Sequence, residues 1–185
     1  MSLAMLVPLL PLLAAIIVLV GQPGKEYERA KLGMLPLAAA FVGSLVTLVV
    51  VASEGAISLR FYDPSSIANL ALPLGFHIDR LSAVMLVMIS GVSTIIYRYS
   101  VNYMYQDRGY GRFLALVAFT TFVLLCMVSS ANLVMLFVCW QLLSYPLSLL
   151  AHNLAHAATL AGAFKTFTLL RVGDVAFLAG IVLAH

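Results

Sequence analysis

Three formally charged residues lie in one apolar run near the C-terminal end of the sequence. Lys165, Arg171 and Asp174 fall within residues 159–185, a run long enough to cross a bilayer. A charge placed at mid-membrane costs ~2.5–3.5 kcal/mol on insertion scales, so charged residues in spans are usually functional or paired. This run is therefore the first candidate for the functional site.

The spacing of these residues predicts two polar faces. Arg171 and Asp174 are three residues apart and can form an ion pair on one face, ~18 and ~22 Å from the helix start. Lys165 is nine residues before Asp174, which turns it towards the opposite side. The pair can simply lock helices together, and the lysine can snorkel to the interface. The functional alternative is a buried lysine that exchanges a proton near neutral pH.

The preceding apolar run offers a matching polar stripe. Its members recur at helical spacing (i, i+3, i+7 and i+11) and are Gln141, Ser144, Ser148 and His152. Gln141 lies ~15 Å from the start of that run, close in depth to Arg171 on an antiparallel neighbour. The stripe can serve ordinary interhelical hydrogen bonding, or it can line a hydrated half-channel that ends at a histidine.

Composition predicts the elements that must position these residues. The chain is 63% hydrophobic and only 9% charged, with a mean hydropathy of +1.08, which indicates an all-α, polytopic membrane helix bundle. We predict a single membrane domain over 1–185, embedded in a lipid bilayer. About six spans are predicted, near 3–21, 32–53, 79–101, 112–129, 131–151 and 159–185.

The connections between the spans predict the orientation. Two loops, 22–31 and the one following the third span, carry six basic residues, whereas the opposite side has only Arg60 and Arg80. The positive-inside rule then places the N-terminus outside. Segment 54–78 is an outer-face loop with strand-like alternation, and Asp79 is an N-cap. Pro8 and Pro11 predict an irregular start to the first helix.

Several chemistries are not indicated. Cys126 and Cys139 both lie in apolar runs and are expected to be core residues. We find no metal cluster, no haem-spaced histidines and no glycine-rich nucleotide loop, so we predict no metal, no cofactor and no enzyme activity on this chain. The small net charge of +3 argues against nucleic acid as a partner.

Three stretches and one short segment resemble a known family. They are Gly109–Phe113, Asn132–Trp140, Lys165–Asp174 and Phe76–Ser82. Together they are similar to the proton-pumping antiporter-like subunits, which include subunit L of NADH-quinone oxidoreductase and the corresponding membrane subunit of Mrp sodium/proton antiporters. The resemblance implies the N-terminal part of an antiporter-like fold, half-channels joined by buried lysines, and a bacterial inner-membrane location.

One departure from the family pattern directs the functional prediction. The family usually has a glutamate directly after the tryptophan of the fifth helix, and this sequence has Gln141 there. That replacement resembles the antiporter-like membrane subunit of DAB inorganic-carbon accumulation complexes, and it implies a soluble, zinc-dependent, carbonic-anhydrase-like partner that hydrates CO₂ to bicarbonate. Other membrane subunits are the expected partners if the chain is instead a respiratory subunit L or an Mrp subunit.

The extent of the chain adds a further expectation. Family members have about a dozen or more helices and a lysine on the seventh, so we expect a fragment, a split gene or a complementing subunit. The predicted function is conduction of protons or another cation to energise a partner subunit. A non-conducting membrane anchor for a soluble enzyme is the alternative from another class.

Overall fold

A computed structural model describes residues 6–20, 26–60, 75–105, 109–153 and 160–184. Six α-helices and two short strands lie in these ranges. The helices are α1 (Leu6–Leu19), α2 (Glu26–Glu54), α3 (Arg80–Tyr103), α4 (Tyr110–Val128), α5 (Leu133–Asn153) and α6 (Leu160–Ala184). The strands are β1 (Ile57–Arg60) and β2 (Gly75–Ile78). The predicted helical membrane bundle is confirmed.

Four of these helices are long and apolar enough to cross a membrane, within the part of the chain that the structure describes. They are α2, α3, α4 and α5, with mean hydropathy between 1.7 and 2.4 in their most apolar windows. Helix α1 is apolar but has only 14 residues. At 1.5 Å per residue it is about 21 Å long, shorter than the ~30 Å hydrocarbon core. The predicted count of about six spans is therefore approximate.

Two local predictions near the N-terminus were wrong. Helix α2 begins at Glu26, so residues 26–31 form its first turns and are not loop as predicted. Helix α1 is continuous from Leu6 to Leu19 and includes both Pro8 and Pro11, where an irregular start was expected. Pro8 occupies the first turn, where its missing N–H costs nothing, and neighbouring helices can satisfy a carbonyl freed by Pro11.

The core forms where α1, α2, α3 and α4 meet. Small residues such as Ala14, Ala30 and Ala118 let the helices approach closely, and Tyr97 and Tyr110 fill the space that remains. Each tyrosine hydroxyl donates to a backbone carbonyl of this region, Tyr97 to Ala30 at 3.2 Å and Tyr110 to Val101 at 2.9 Å. A buried hydroxyl needs such an acceptor, so the packing is apolar and fully hydrogen-bonded at these two positions.

The predicted outer-face hairpin is present in the described residues. β1 and β2 pair antiparallel, with Ile57 opposite Ile78. β2 is also joined to the α4–α5 connection, since the N–H of His77 donates to Ser129 and the N–H of Ala131 donates to Gly75. The intervening residues, 61–74, lie outside the description. We call this side of the bundle, defined by β1, β2 and 129–131, the hairpin end.

The opposite side of the bundle, the basic end, gathers the α1–α2 and α3–α4 connections. The ring of Tyr27 meets that of Tyr105 edge-on at 4.7 Å, and a guanidinium N–H of Arg29 reaches the carbonyl of Val18 at 3.4 Å. The two basic loops therefore share one side, as their charge pattern predicts.

Candidate functional site in the α5–α6 pair

Helices α5 and α6 run antiparallel and meet in a consistent register. Phe137 contacts Phe177, Trp140 contacts Asp174, and Ser144 contacts Arg171, so rising numbers on one helix match falling numbers on the other. A connection of a few residues between two helices favours this antiparallel arrangement. The register places polar residues of both helices at one level.

Asp174 is the centre of this level. It is 6% exposed and accepts two hydrogen bonds, one on each carboxylate oxygen. Arg171 donates from Nη1 to Oδ2 at 3.2 Å, and Trp140 donates from Nε1 to Oδ1 at 3.1 Å. The ion pair expected from the i, i+3 spacing is thus present, and a buried carboxylate with two donors is satisfied without water.

Arg171 connects the carboxylate to the polar stripe of α5. Its Nη1 also donates to the side-chain oxygen of Gln141, and its Nη2 donates to the hydroxyl of Ser144 at 3.4 Å. The ring of Phe167, one turn earlier on α6, lies 4.6 Å from the guanidinium carbon. A cation held over an aromatic face gains further stabilisation, most where water is scarce. The guanidinium side chain is nevertheless 40% exposed.

Not all of the predicted site residues join this group. The structure brings together Arg171, Asp174, Gln141 and Ser144. Ser148 donates instead to the carbonyl of Tyr145 on its own helix at 2.8 Å. Lys165 and His152 belong to the backbones of α6 and α5, but their side chains lie outside the described part of the chain.

Two members of the site were missed from the sequence. Trp140 was noted only as flanking the stripe, and Phe167 was not singled out. A usable signal existed for both, because an indole is a pure donor adjacent to Gln141, and Phe167 is four residues before Arg171. The remaining signal, the register between the helices, appears only in three dimensions.

In chemical terms the site holds one anion, one cation and neutral hydrogen-bonding groups. A carboxylate can take and release a proton, while a guanidinium stays charged and can orient or stabilise it. Among the described residues no group of three or more His, Cys, Asp or Glu could hold a metal. The arrangement suits proton exchange or ion pairing within a membrane.

The chain resembles known membrane proteins along its whole length. Residues 65–114 match the family described as NADH-ubiquinone oxidoreductase (complex I), chain 5 N-terminus. Subunit L of the F(420)H(2) dehydrogenase of Methanosarcina mazei is 36% identical over 183 residues, 97% of this chain and 26% of that protein. The probable inorganic carbon transporter subunit DabB1 of Halothiobacillus neapolitanus is 30% identical over 187 residues, 100% of this chain and 32% of that protein.

A further relative and a solved structure agree with these matches. NADH-quinone oxidoreductase subunit L of Neisseria meningitidis is 30% identical over 196 residues, 100% of this chain and 28% of that protein. A chain of the membrane-bound sulfane sulfur reductase, an archaeal respiratory membrane complex, has the same fold, with a TM-score of 0.77 at 18% identity. That match covers 98% of this chain and 37% of the other.

The relatives are longer than this chain, which spans between 26% and 32% of the three proteins named above. Each of the three is named as one subunit of a larger assembly, and the matched fold comes from a membrane complex. The chain belongs to the family of antiporter-like membrane subunits that includes subunit L of NADH-quinone oxidoreductase.

Proposed function

We propose that the chain conducts protons, or another cation, through the α5–α6 pair to energise a partner subunit. The observation that carries this proposal is Asp174, a carboxylate buried within a membrane bundle beside Arg171. Burying a charge is costly, and a mutually paired carboxylate at membrane depth is an established place for proton relays. Catalysis, where the complex performs any, belongs to another subunit.

The route extends from this group towards the basic end. Ser144 contacts Arg171, and Ser148 and His152 follow on the same helix. Lys165 lies on the basic-end side of Arg171 in α6. We propose that these residues form the half-channel between the basic end and Asp174, because hydroxyls, imidazole and amine can each pass a proton at hydrogen-bond distance.

The finer assignment is a DAB-type complex with a soluble, zinc-dependent, carbonic-anhydrase-like partner. Gln141 supports it, since the usual glutamate after Trp140 is absent, and so does the 30% identity to DabB1. The 36% identity to subunit L of the F(420)H(2) dehydrogenase favours the second candidate, a respiratory or Mrp-type subunit. Purification with native partners discriminates them: a zinc-bearing soluble subunit fits the first, and a set of similar membrane subunits fits the second.

The conduction proposal is tested by ion flux in vesicles that contain the full complex. Asp174→Asn and Lys165→Ala are expected to abolish coupled proton uptake while the complex still assembles. Asp79→Asn is the matched control, because Asp79 caps α3 outside the span and asparagine also caps helices. Full flux in both Asp174→Asn and Lys165→Ala would reject conduction through these residues.

The anchor hypothesis makes the opposite prediction for the same preparation. If the polar group serves only helix packing, the double variant Arg171→Gln/Asp174→Asn removes both charges together and leaves no unpaired ion. The anchor hypothesis expects the partner to dock and the complex to work at its normal rate. Proton flux that depends on either residue excludes it.

A further inference from the structure

The two oxygens of the Asp174 carboxylate have donors from different helices. Oδ2 accepts from Arg171, three residues earlier on α6, and Oδ1 accepts from the indole of Trp140 on α5. With only one donor, a carboxylate can rotate about its terminal torsion, which has broad minima. Two donors on separate oxygens define the carboxylate plane.

The indole is itself held in place by aromatic packing. The ring of Phe177 meets Trp140 edge-on at a centroid distance of 6.4 Å, and the ring of Phe137 meets Phe177 at 5.7 Å. Edge-to-face pairs at such distances favour one ring orientation. Trp140 is 42% exposed while Asp174 is buried, so the indole joins the surface of the described bundle to the buried carboxylate.

We propose that Trp140 is a positioning residue that orients Asp174 towards Arg171. This inference rests on the proposed function, in which Asp174 exchanges the proton. The indole N–H has no role as an acid or base here; it fixes which oxygen faces the guanidinium and leaves the proton chemistry to the carboxylate. The group facing Asp174 from its own helix is Arg171, and the contacts from α5 are neutral.

A spectroscopic test addresses the contact without reference to transport. Trp140 is the single tryptophan of this 185-residue sequence, so its ultraviolet resonance Raman signal reports the indole N–H alone. Asp174→Asn replaces a charged acceptor by a neutral one, which accepts a weaker hydrogen bond. The N–H-sensitive indole band is expected to shift in Asp174→Asn and to stay unchanged in the control Asp79→Asn. An unshifted band in Asp174→Asn would overturn the inference.

A flux measurement addresses the consequence. Trp140→Phe removes the N–H and keeps an aromatic ring, and it is expected to slow coupled proton uptake about 3- to 20-fold, the range that one membrane hydrogen bond supports. The matched control is Phe177→Leu, which loosens the packing around the indole but retains the donor and is expected to keep most of the flux. Undiminished flux in Trp140→Phe would overturn the positioning role, and so would equal losses in the two variants.

The two tests separate the failure of this inference from failure of the proposed function. Normal flux in Asp174→Asn together with a shifted indole band would reject the proton path and support the Trp140–Asp174 contact. Abolished flux in Asp174→Asn with an unshifted band would support the path and reject the contact.

Discussion

Arg171 is the residue with the most polar partners at the α5–α6 site. It contacts the carboxylate of Asp174, the amide of Gln141 and the hydroxyl of Ser144, and it lies over the ring of Phe167. Because Gln141 is neutral, the cation and the single carboxylate balance each other. Removing either charge alone leaves its partner uncompensated at membrane depth, where solvation by water is poor.

This balance predicts strong coupling between the two charged residues. Arg171→Gln and Asp174→Asn are each expected to lower the free energy of unfolding by about 2–4 kcal/mol, since each leaves one charge unpaired. The double variant should lose less than the sum, with a coupling energy of about 1–3 kcal/mol. Unfolding of the four proteins in detergent micelles measures the cycle. Additive losses would show that the two side chains do not support each other.

Sequence reasoning reaches part of this site and stops at a physical limit. The Arg171–Asp174 pair follows from spacing within one helix, which a helical period determines. The Trp140–Asp174 hydrogen bond depends on the axial register of α5 against α6, and that register arises from packing rather than from either helix alone. The bonding of Ser148 back to its own helix has the same origin, since a serine in a helix can satisfy itself on a preceding carbonyl when no neighbour faces it.

At the scale of elements, helix boundaries depend on competition between local and tertiary terms. The charged stretch 26–31 reads as loop in a membrane chain, yet it continues α2 beyond the apolar run. There Lys31 lies 4.2 Å from the ring centroid of Tyr27, one turn earlier, and Tyr27 packs on Tyr105. Such contacts extend a helix past the limit that hydropathy suggests. Asp79, in contrast, was predicted from local sequence because capping is a local interaction.

The cap of α3 gives a prediction with a definite pH window. The side chain of Asp79 accepts from the N–H of Ser82 at 2.7 Å, and this hydrogen bond holds the pKa of Asp79 below its ordinary value of 3.8. A depressed folded-state pKa adds stability that is complete above the unfolded pKa and is lost as the pH falls through the folded pKa. The advantage of the native protein over Asp79→Ala should therefore be about 1 kcal/mol at pH 7 and decline below pH 3.8.

Thermal unfolding in detergent, compared between the two proteins across pH, measures this difference. Asp79→Asn is the control, since its amide caps the helix without titrating over this range. An advantage over Asp79→Ala that persists unchanged far below pH 3.8 would mean that the charged carboxylate contributes nothing to the cap.

The approach of α2 to α3 gives a second prediction at this scale. A Cβ added at Gly33 would lie 2.5 Å from the hydroxyl oxygen of Tyr97 and 3.1 Å from a methyl carbon of Val18. Tyr97 is fully buried, so it has little room to move. Gly33→Ala is expected to destabilise the protein by about 1–3 kcal/mol through overpacking.

Gly180→Ala is the matched control on α6, because a Cβ there meets nothing within 4 Å. It should change the free energy of unfolding by about 1 kcal/mol at most, in the stabilising direction that helix propensity favours. Adding Tyr97→Phe to Gly33→Ala should recover part of the loss, since the clashing oxygen is gone. Equal stability of the two glycine variants would contradict the close α2–α3 contact.

At the scale of the molecule, the bundle has two chemically different ends. The basic end carries the exposed side chains of Lys31, Arg98 and Arg112, whereas the hairpin end is built from backbone pairing between β2, β1 and residues 129–131. Helix α1 runs from the hairpin end to the basic end, because Val18 meets Arg29 there. The positive-inside rule predicts that the basic end faces the cytoplasm, which places the N-terminus outside.

Labelling of introduced cysteines with a membrane-impermeant maleimide tests this orientation. Glu28→Cys lies at the basic end and Ser58→Cys on β1, and both native residues are exposed. Native Cys126 and Cys139 are buried, so background reaction should be small and the unsubstituted protein measures it. Ser58→Cys is expected to react in intact cells and Glu28→Cys only in inverted vesicles, because the bilayer separates the two ends. The reverse pattern would invert the orientation, and reaction of both positions from one side would contradict the two-ended bundle.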